Sequence, residues 1–200
     1  MEDTTRDDIP RVAVDHSADD QAASEQATTG VRIRDAVPGD AEAIAEIYNQ
    51  SIAAGGSCMV EELQSAEDMR RTMAGFNGRE TILVLVDDCD TTLGWGIIKR
   101  YSDRRGYRFA CETAVYLDRQ HLGKGYGTRL KLAQIERCRE FGYRHLVAKI
   151  FSTNVASIEY NKRLGYTEVG VQKDIGFQGG QWQDVTILQL ILERGLPDSP

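Results

Sequence analysis

Val31 and Ile33 alternate with Arg32 and Arg34, the pattern of a half-buried strand. Pro38, Gly39 and Asp40 interrupt it, with Asp40 placed as a helix N-cap. Ala41, Ile44, Tyr48 and Ile52 then recur at helical spacing up to Gly55 and Gly56. Ser65 caps a second predicted helix over 66–76, closed near Gly78. Three strand-like runs follow, 81–86, 93–99 and 107–117, joined by turns at 87–92 and 102–106. The alternating glycines Gly123, Gly125 and Gly127 lead into a predicted helix over about 128–141. Its period is imperfect, because Leu132 and Ile135 leave the face of Leu130, Ala133 and Phe141; Gly142 is a suitable stop. A buried-looking strand over 145–151, a short helix over 154–163 stopped at Gly165, and strands over 166–173 and 184–192 complete the chain. The order β-α-α-β-β-β-α-β-α-β-β, without internal repeat, predicts a mixed α/β (α+β) domain around one sheet, over about 31–195.

Residues 1–30 stand apart. They are poor in aromatics and hold eight acidic residues against Arg6 and Arg11, a net of −6 out of the chain's −7. Such a stretch cannot bury enough surface to offset its ordering entropy, so a disordered acidic tail is expected there, with a short tail at 196–200. The remaining chain is near neutral and has no basic footprint for nucleic acid. No run approaches the roughly 20 apolar residues of a membrane span, and the acidic start has no apolar leader segment. Cys58, Cys89, Cys111 and Cys138 are scattered, and His16, His121 and His145 have no ligand-like spacing. Reduced thiols in a cytoplasmic protein without a metal site are the expectation.

A strand, a glycine-rich turn and a helix start make an anion cradle, since the first N–H groups of a helix are unpaired and its dipole is positive there. Lys124 could add a charge. The spacing lacks the GxxxxGK[ST] of a P-loop and fits the GxGxxG dinucleotide fingerprint poorly. The pyrophosphate of coenzyme A and a plain tight turn both remain open on this motif alone.

The second half of the chain carries a more specific pattern. Asn154, Ser157 and the trio Leu164, Gly165, Tyr166 resemble the helix segment of the GNAT superfamily of N-acetyltransferases, and lie about 30 residues after a glycine-rich loop as in that family. The run Glu112, Thr113, Ala114, Val115, Tyr116, Leu117 resembles the Glu-Ser-x-Val-Tyr-Val strand of its phosphinothricin and methionine sulfoximine acetyltransferase-like branch. Arg104 with Tyr107, and Gly180, Trp182, Asp184 and Val185, match two further signatures of that branch. The resemblance covers about 31–193.

It implies a fold of about seven strands and four helices, and direct acetyl transfer from acetyl-CoA, as co-substrate, to a small-molecule amine. The backbone of Val115, Tyr116 and Leu117 would hold the pantetheine arm, and the N–H groups of Gly123, Lys124, Gly125, Tyr126, Gly127 and Thr128 the pyrophosphate. Asn154 and Ser157 would contact the arm or the phosphates. Glu112 would be the general base, and Arg104 and Tyr107 would hold a substrate carboxylate. Trp182 and Asp184 would wall the site or finish the sheet. Many members of the branch are homodimers, and the closing strands are candidate interface material.

Three positions depart from the family pattern. Leu122 stands where Arg or Gln usually leads the loop. Asn161 replaces the usual Tyr or His; it can donate a hydrogen bond to the departing sulfur but cannot serve as an acid. Met59 takes the place of a Phe against the substrate. A protein or peptide acetyltransferase, and an acyl-CoA-binding sensor without catalysis, are the competing readings.

Overall fold

The structure is a computed structural model describing residues 30–55 and 59–193. Of the tail expected at 1–30 all but Gly30 lies outside the described residues, as do the tail expected at 196–200, Gly56 and Cys58. Seven strands form one sheet in the order β1-β2-β3-β4-β5-β7-β6. In chain order they are β1 (Val31–Asp35), β2 (Thr81–Asp87), β3 (Thr92–Arg100), β4 (Ala110–Leu117), β5 (His145–Phe151), β6 (Thr167–Gln178) and β7 (Gln181–Ile191). The helices are α1 (Ala41–Ala54), α2 (Ala66–Ala74), α3 (Tyr126–Glu140) and α4 (Val155–Arg163). Element order and numbers agree with the sequence reading.

Period-2 burial explains the layers. In β2, Ile82, Val84 and Val86 face α1 and α2, where they pack with Ile44, Ile47 and Met69, while Leu83 and Leu85 face Leu130 of α3. A further cluster joins Ile135 and Cys138 of α3 to Ile158 of α4, Leu146 and Ile150 of β5 and Leu188 of β7. Each large aliphatic side chain so enclosed contributes about 1.5–3 kcal/mol relative to exposure.

Local chemistry sets several boundaries differently from the expectation. Asp40 does not cap α1 with its side chain. Its carboxylate accepts from the Val37 backbone N–H and from both terminal nitrogens of Arg34, at 2.7 and 2.9 Å, and the Arg34 hydrogen bonds hold it below the usual carboxylate range. Ser65 caps α2 as expected, in a reciprocal box with Asp68. Residues 105–107 form a single 3-10 turn, so β4 starts at Ala110 rather than at Tyr107. The helix α3 begins two residues earlier than expected, at Tyr126, and the last two strands are longer than expected. Asp184 stabilises their hairpin, taking Lys173 Nζ at 2.6 Å and the Asp174 N–H at 2.9 Å where β6 shifts register. Trp182 packs edge-on against Phe177 beside it.

Candidate functional site

The parallel pair β4–β5 is registered only from Ala110↔His145 to Glu112↔Val147. Beyond it, Thr113 to Leu117 stay with β3 and Ala148 to Phe151 stay with β7. Two facing strand edges therefore lack ladder partners, and their peptide groups are available to something lying between them. The gap is a cleft of about 480 Å3. Val115, Tyr116 and Leu117 form one wall, Lys149 and Ile150 another; Asn154, Ser157, Tyr160 and Asn161 of α4 close a third side, and Thr113 and Lys131 also line it.

At Leu117 the chain turns into α3 through a 3-10 turn at Arg119–His121 and then the glycines. Gly123 and Gly125 have φ of +76° and +77°, left-handed values that strain other residues. Gly125 is the N-cap of α3 and offers no capping side chain, so the first N–H groups of Tyr126, Gly127 and Thr128 are left to an outside acceptor. Two of the other three helices differ, Ser65 capping α2 and the Asn154 side-chain oxygen capping α4 through the Ser157 N–H, while α1 has no side-chain cap either. Arg119 and Leu122 line the cleft itself; residues 123–128 follow directly, with Lys124 Nζ resting 3.2 Å from His121 Nδ1. Two ties fix this loop. The Tyr160 hydroxyl donates to the Gly127 carbonyl at 2.6 Å, and Gln50 of α1 bridges Asp118 and the Arg119 N–H, each at 3.0 Å. The Gln50 hydrogen bond lowers the Asp118 carboxyl, and burial raises the Tyr160 phenol.

Glu112 is the last residue before the strands part. Its carboxylate pairs with Lys149 Nζ of β5 at 2.6 Å. Strand alternation points it, with Ala114 and Tyr116, to the face opposite Cys111 and Thr113. There it lines a second cavity of about 500 Å3, walled by Tyr48, Trp95 and Tyr116, whose rings stack and abut at 4.5–5.5 Å between centroids. Ala114 and Tyr116 line both cavities, so the two meet at the strand that carries Glu112. Arg100 also borders the second cavity, its guanidinium tied to Glu80 at 2.9 Å and to Asp103.

Three expected substrate contacts are not gathered around Glu112. Arg104 lines a separate depression with Arg105, Arg108 and Tyr143. Tyr107 packs on Tyr101 at 5.6 Å and borders a third cavity, of about 770 Å3, that reaches Lys149. Met59 lies against Gly176 of β6, where any Cβ would run into its thioether; its neighbour Val60 is what lines the Glu112 cavity. Asn161 lies in the cleft as expected, but its amide N–H already donates to the Ser157 carbonyl at 2.8 Å, and its Oδ1 is buried without a partner among the described residues. It thus offers an acceptor in Oδ1, with one of its two amide N–H groups already taken.

Two polar residues inside α3 escaped the sequence reading. Gln134 is fully buried and donates to the Ile97 and Ala114 carbonyls at 2.9 and 3.0 Å, a close approach that requires Gly96 opposite. Lys131 is 2 % exposed and donates to Thr113 Oγ1 at 2.8 Å; burial pushes its ammonium down to about 8. Both fall on the helix face of Leu130, Ile135 and Cys138, and that coincidence was the available signal. Among the described residues no group of His, Cys, Asp and Glu could hold a metal ion, and no helix is long and apolar enough to cross a membrane.

A splayed parallel pair, an uncapped helix start after glycines and a carboxylate at the parting point leave room for an elongated ligand with an anionic end, beside a second, aromatic pocket. Residues 33–187 match the family model described as an acetyltransferase (GNAT) domain. The chain belongs to the GNAT acetyltransferase family. As a GNAT acetyltransferase, it uses acetyl-CoA as the acyl donor. It is 34 % identical over 165 residues to an L-methionine sulfoximine/L-methionine sulfone acetyltransferase of Pseudomonas paraeruginosa, covering 80 % of this chain and 94 % of that one. It is 30 % identical over 157 residues to a phosphinothricin N-acetyltransferase of Alcaligenes faecalis, covering 78 % and 80 %. The acetyl-CoA complex of a GNAT superfamily phosphinothricin acetyltransferase from Sinorhizobium meliloti superposes with a TM-score of 0.79 at 30 % identity, over 86 % of this chain and 93 % of that one.

Proposed function

We propose that this GNAT enzyme acetylates the amino group of a small amino acid or amino-acid analogue of the methionine sulfoximine and phosphinothricin kind. The observation that carries the reading is Glu112 beside Lys149 at the meeting of the two cavities. A carboxylate and an ammonium 2.6 Å apart are complementary to the ammonium and carboxylate of an amino acid. Lys149 therefore takes the carboxylate-holding role expected of Arg104, and Arg104 and Tyr107 keep at most a part in shaping the approach.

In this reading the pantetheine arm bonds to the free edge at Val115, Tyr116 and Leu117, and the pyrophosphate sits on the N–H groups of Gly123 through Thr128, with Lys124 nearby. Asn154 uses its carbonyl oxygen as a cap, so its amide N–H groups and the Ser157 hydroxyl face the ligand. The Asn161 Oδ1 accepts from a pantetheine amide. Glu112 removes the proton from the substrate ammonium, and the freed nitrogen attacks the thioester carbonyl. Holding the two reactants in one geometry is worth about 7–11 kcal/mol, and base catalysis about 10²–10⁴-fold. The reading includes a cytoplasmic setting, in keeping with the unpaired thiols Cys89, Cys111 and Cys138. It also includes a homodimer through β6 and β7, where Val169, Val171, Ile175, Phe177 and Trp182 are exposed.

The test is thiol release from acetyl-CoA with a panel of methionine sulfoximine, methionine sulfone, phosphinothricin, ordinary amino acids, polyamines and peptides. Release with amino-acid analogues supports the proposal. Release with peptides only, or binding of acetyl-CoA without turnover of any amine, refutes it. Glu112→Gln should lower kcat by about 10²-fold or more at neutral pH; unchanged turnover removes Glu112 from the base role.

A further inference from the structure

The cleft contains a cation that the reading above does not use. Lys131 projects from α3 and lines the same cleft as Asn161 and Tyr160. Its ammonium has one hydrogen bond among the described residues, to Thr113 Oγ1, and no carboxylate partner; the Tyr166 ring lies 5.0 Å away. A buried, unpaired ammonium is costly to a fold, so its position on a ligand cleft asks for a function. Thr113 and Glu112 are adjacent on β4, and alternation sends their side chains to opposite faces. One face presents a carboxylate to the amine pocket. The other presents Lys131 to the cleft that takes the thioester arm.

We propose that Lys131 is the thiol-side acid of the transfer, placing its ammonium where negative charge develops on sulfur. The inference rests on the acetyl-transfer reading given above. The substrate ammonium loses one proton to Glu112, and the nitrogen lone pair forms the C–N bond at the thioester carbonyl. The C–S bond breaks with its electron pair on sulfur, and sulfur takes a proton from Lys131. The new amide nitrogen sheds its remaining extra proton, which returns to Lys131 through solvent, and the proton on Glu112 is released. The products are the N-acetyl compound, free thiol and one proton.

The surroundings keep the ammonium available. The groups facing it are Cys111 of β4, Cys138 of α3 and Tyr166 ahead of β6. The Cys111 thiol, in contact with Cys138 at 3.6 Å, is pushed up by that contact and by burial, and the Tyr166 phenol is raised by burial, so both are neutral. The cleft's other cations are Lys149, which is held by Glu112, and Arg119, on the turn ahead of the glycine loop. Burial brings Lys131 to about 8, so it is still largely protonated at neutral pH, and its proton is there to be shared with sulfur as the charge develops.

The decisive experiment titrates the ultraviolet absorbance of the CoA thiolate, free and bound to the wild-type protein and to Lys131→Met, beside pH profiles of kcat. A neighbouring cation lowers a thiol by about 1–3 pH units. The bound thiol should therefore titrate below free CoA in the wild type, and that lowering should vanish in Lys131→Met. The variant should still bind acetyl-CoA, lose about 10²-fold in kcat, and lose the decline in kcat that the wild type shows above about pH 8. An unlowered thiol in the wild type, or an unchanged titration and pH profile in the variant, overturns the assignment. The wild-type titration needs no variant to fold. It also separates the two readings: a lowered bound thiol with no turnover of any amine supports the cation and refutes the amine proposal.

Discussion

Lys131→Met should make the protein more stable. Keeping the ammonium charged inside the fold requires lowering it from 10.5 to about 8, and at 1.36 kcal/mol per pH unit this is a penalty of about 3 kcal/mol at neutral pH. Methionine has similar length and no charge to desolvate. Losing the hydrogen bond to Thr113 gives back about 1 kcal/mol, and Thr113 keeps the Tyr166 hydroxyl at 3.3 Å. The net gain is about 2 kcal/mol, which for a chain of this size raises the midpoint by roughly 4–8 °C. The pH dependence carries its own sign. The folded pKa lies below the unfolded one, so between about 8 and 10.5 the unfolded chain binds more protons and wild-type stability rises with pH. The advantage of the variant should be complete below about 8 and fade towards 10.5. Urea denaturation across that range measures it. A variant no more stable than wild type at neutral pH, or an advantage that does not fade, refutes the account of Lys131 as a buried cation.

Two other substitutions test how the cleft is built. Gly96→Ala places a methyl about 2.6 Å from the Gln134 amide, so it should cost about 1–3 kcal/mol in denaturation midpoint; a neutral result means Gln134 does not wedge β3 against β4. Gly125→Ala forces a Cβ onto a φ of +77°, a strain of about 1–2 kcal/mol at the helix start, and acetyl-CoA affinity measured by calorimetry should fall about tenfold. Unchanged affinity would take the pyrophosphate off that loop.

The element order was readable because most segments carry a clear period or a clear stop. The alternation in β1 and the buried run of β2 declare strands, and Ser65 and Gly142 declare helix ends. What escaped lies in tertiary pairing. Asp40 looks like a cap until Arg34, across the turn, claims its carboxylate. The period of α3 looks imperfect while polar residues are assumed to face out, yet Lys131 and Gln134 are buried on a regular face with Leu130, Ile135 and Cys138. Glu112 was legible as chemistry, yet its partner was not, because Lys149 reaches it only through the register of β4 against β5. Met59 and Arg104 sit in segments without a period, and Tyr107 in a 3-10 turn just ahead of β4, so their spacing carried no information about which cavity each would border.

The brevity of the β4–β5 contact has a consequence for the molecule as a whole. Four strands on one side and three on the other are joined in the sheet by three registered residue pairs. On the reading proposed above, a pantetheine arm bonded to the free edge of β4 and touching α4 would act as a splint across that joint, standing in for the strand pairing the sheet forgoes. The substrate that supplies the acetyl group would thereby also be a structural member, and its binding energy part of the stability of the fold. Concentration of acetyl-CoA would then set not only how fast the enzyme works but how firmly its two half-sheets are held as one.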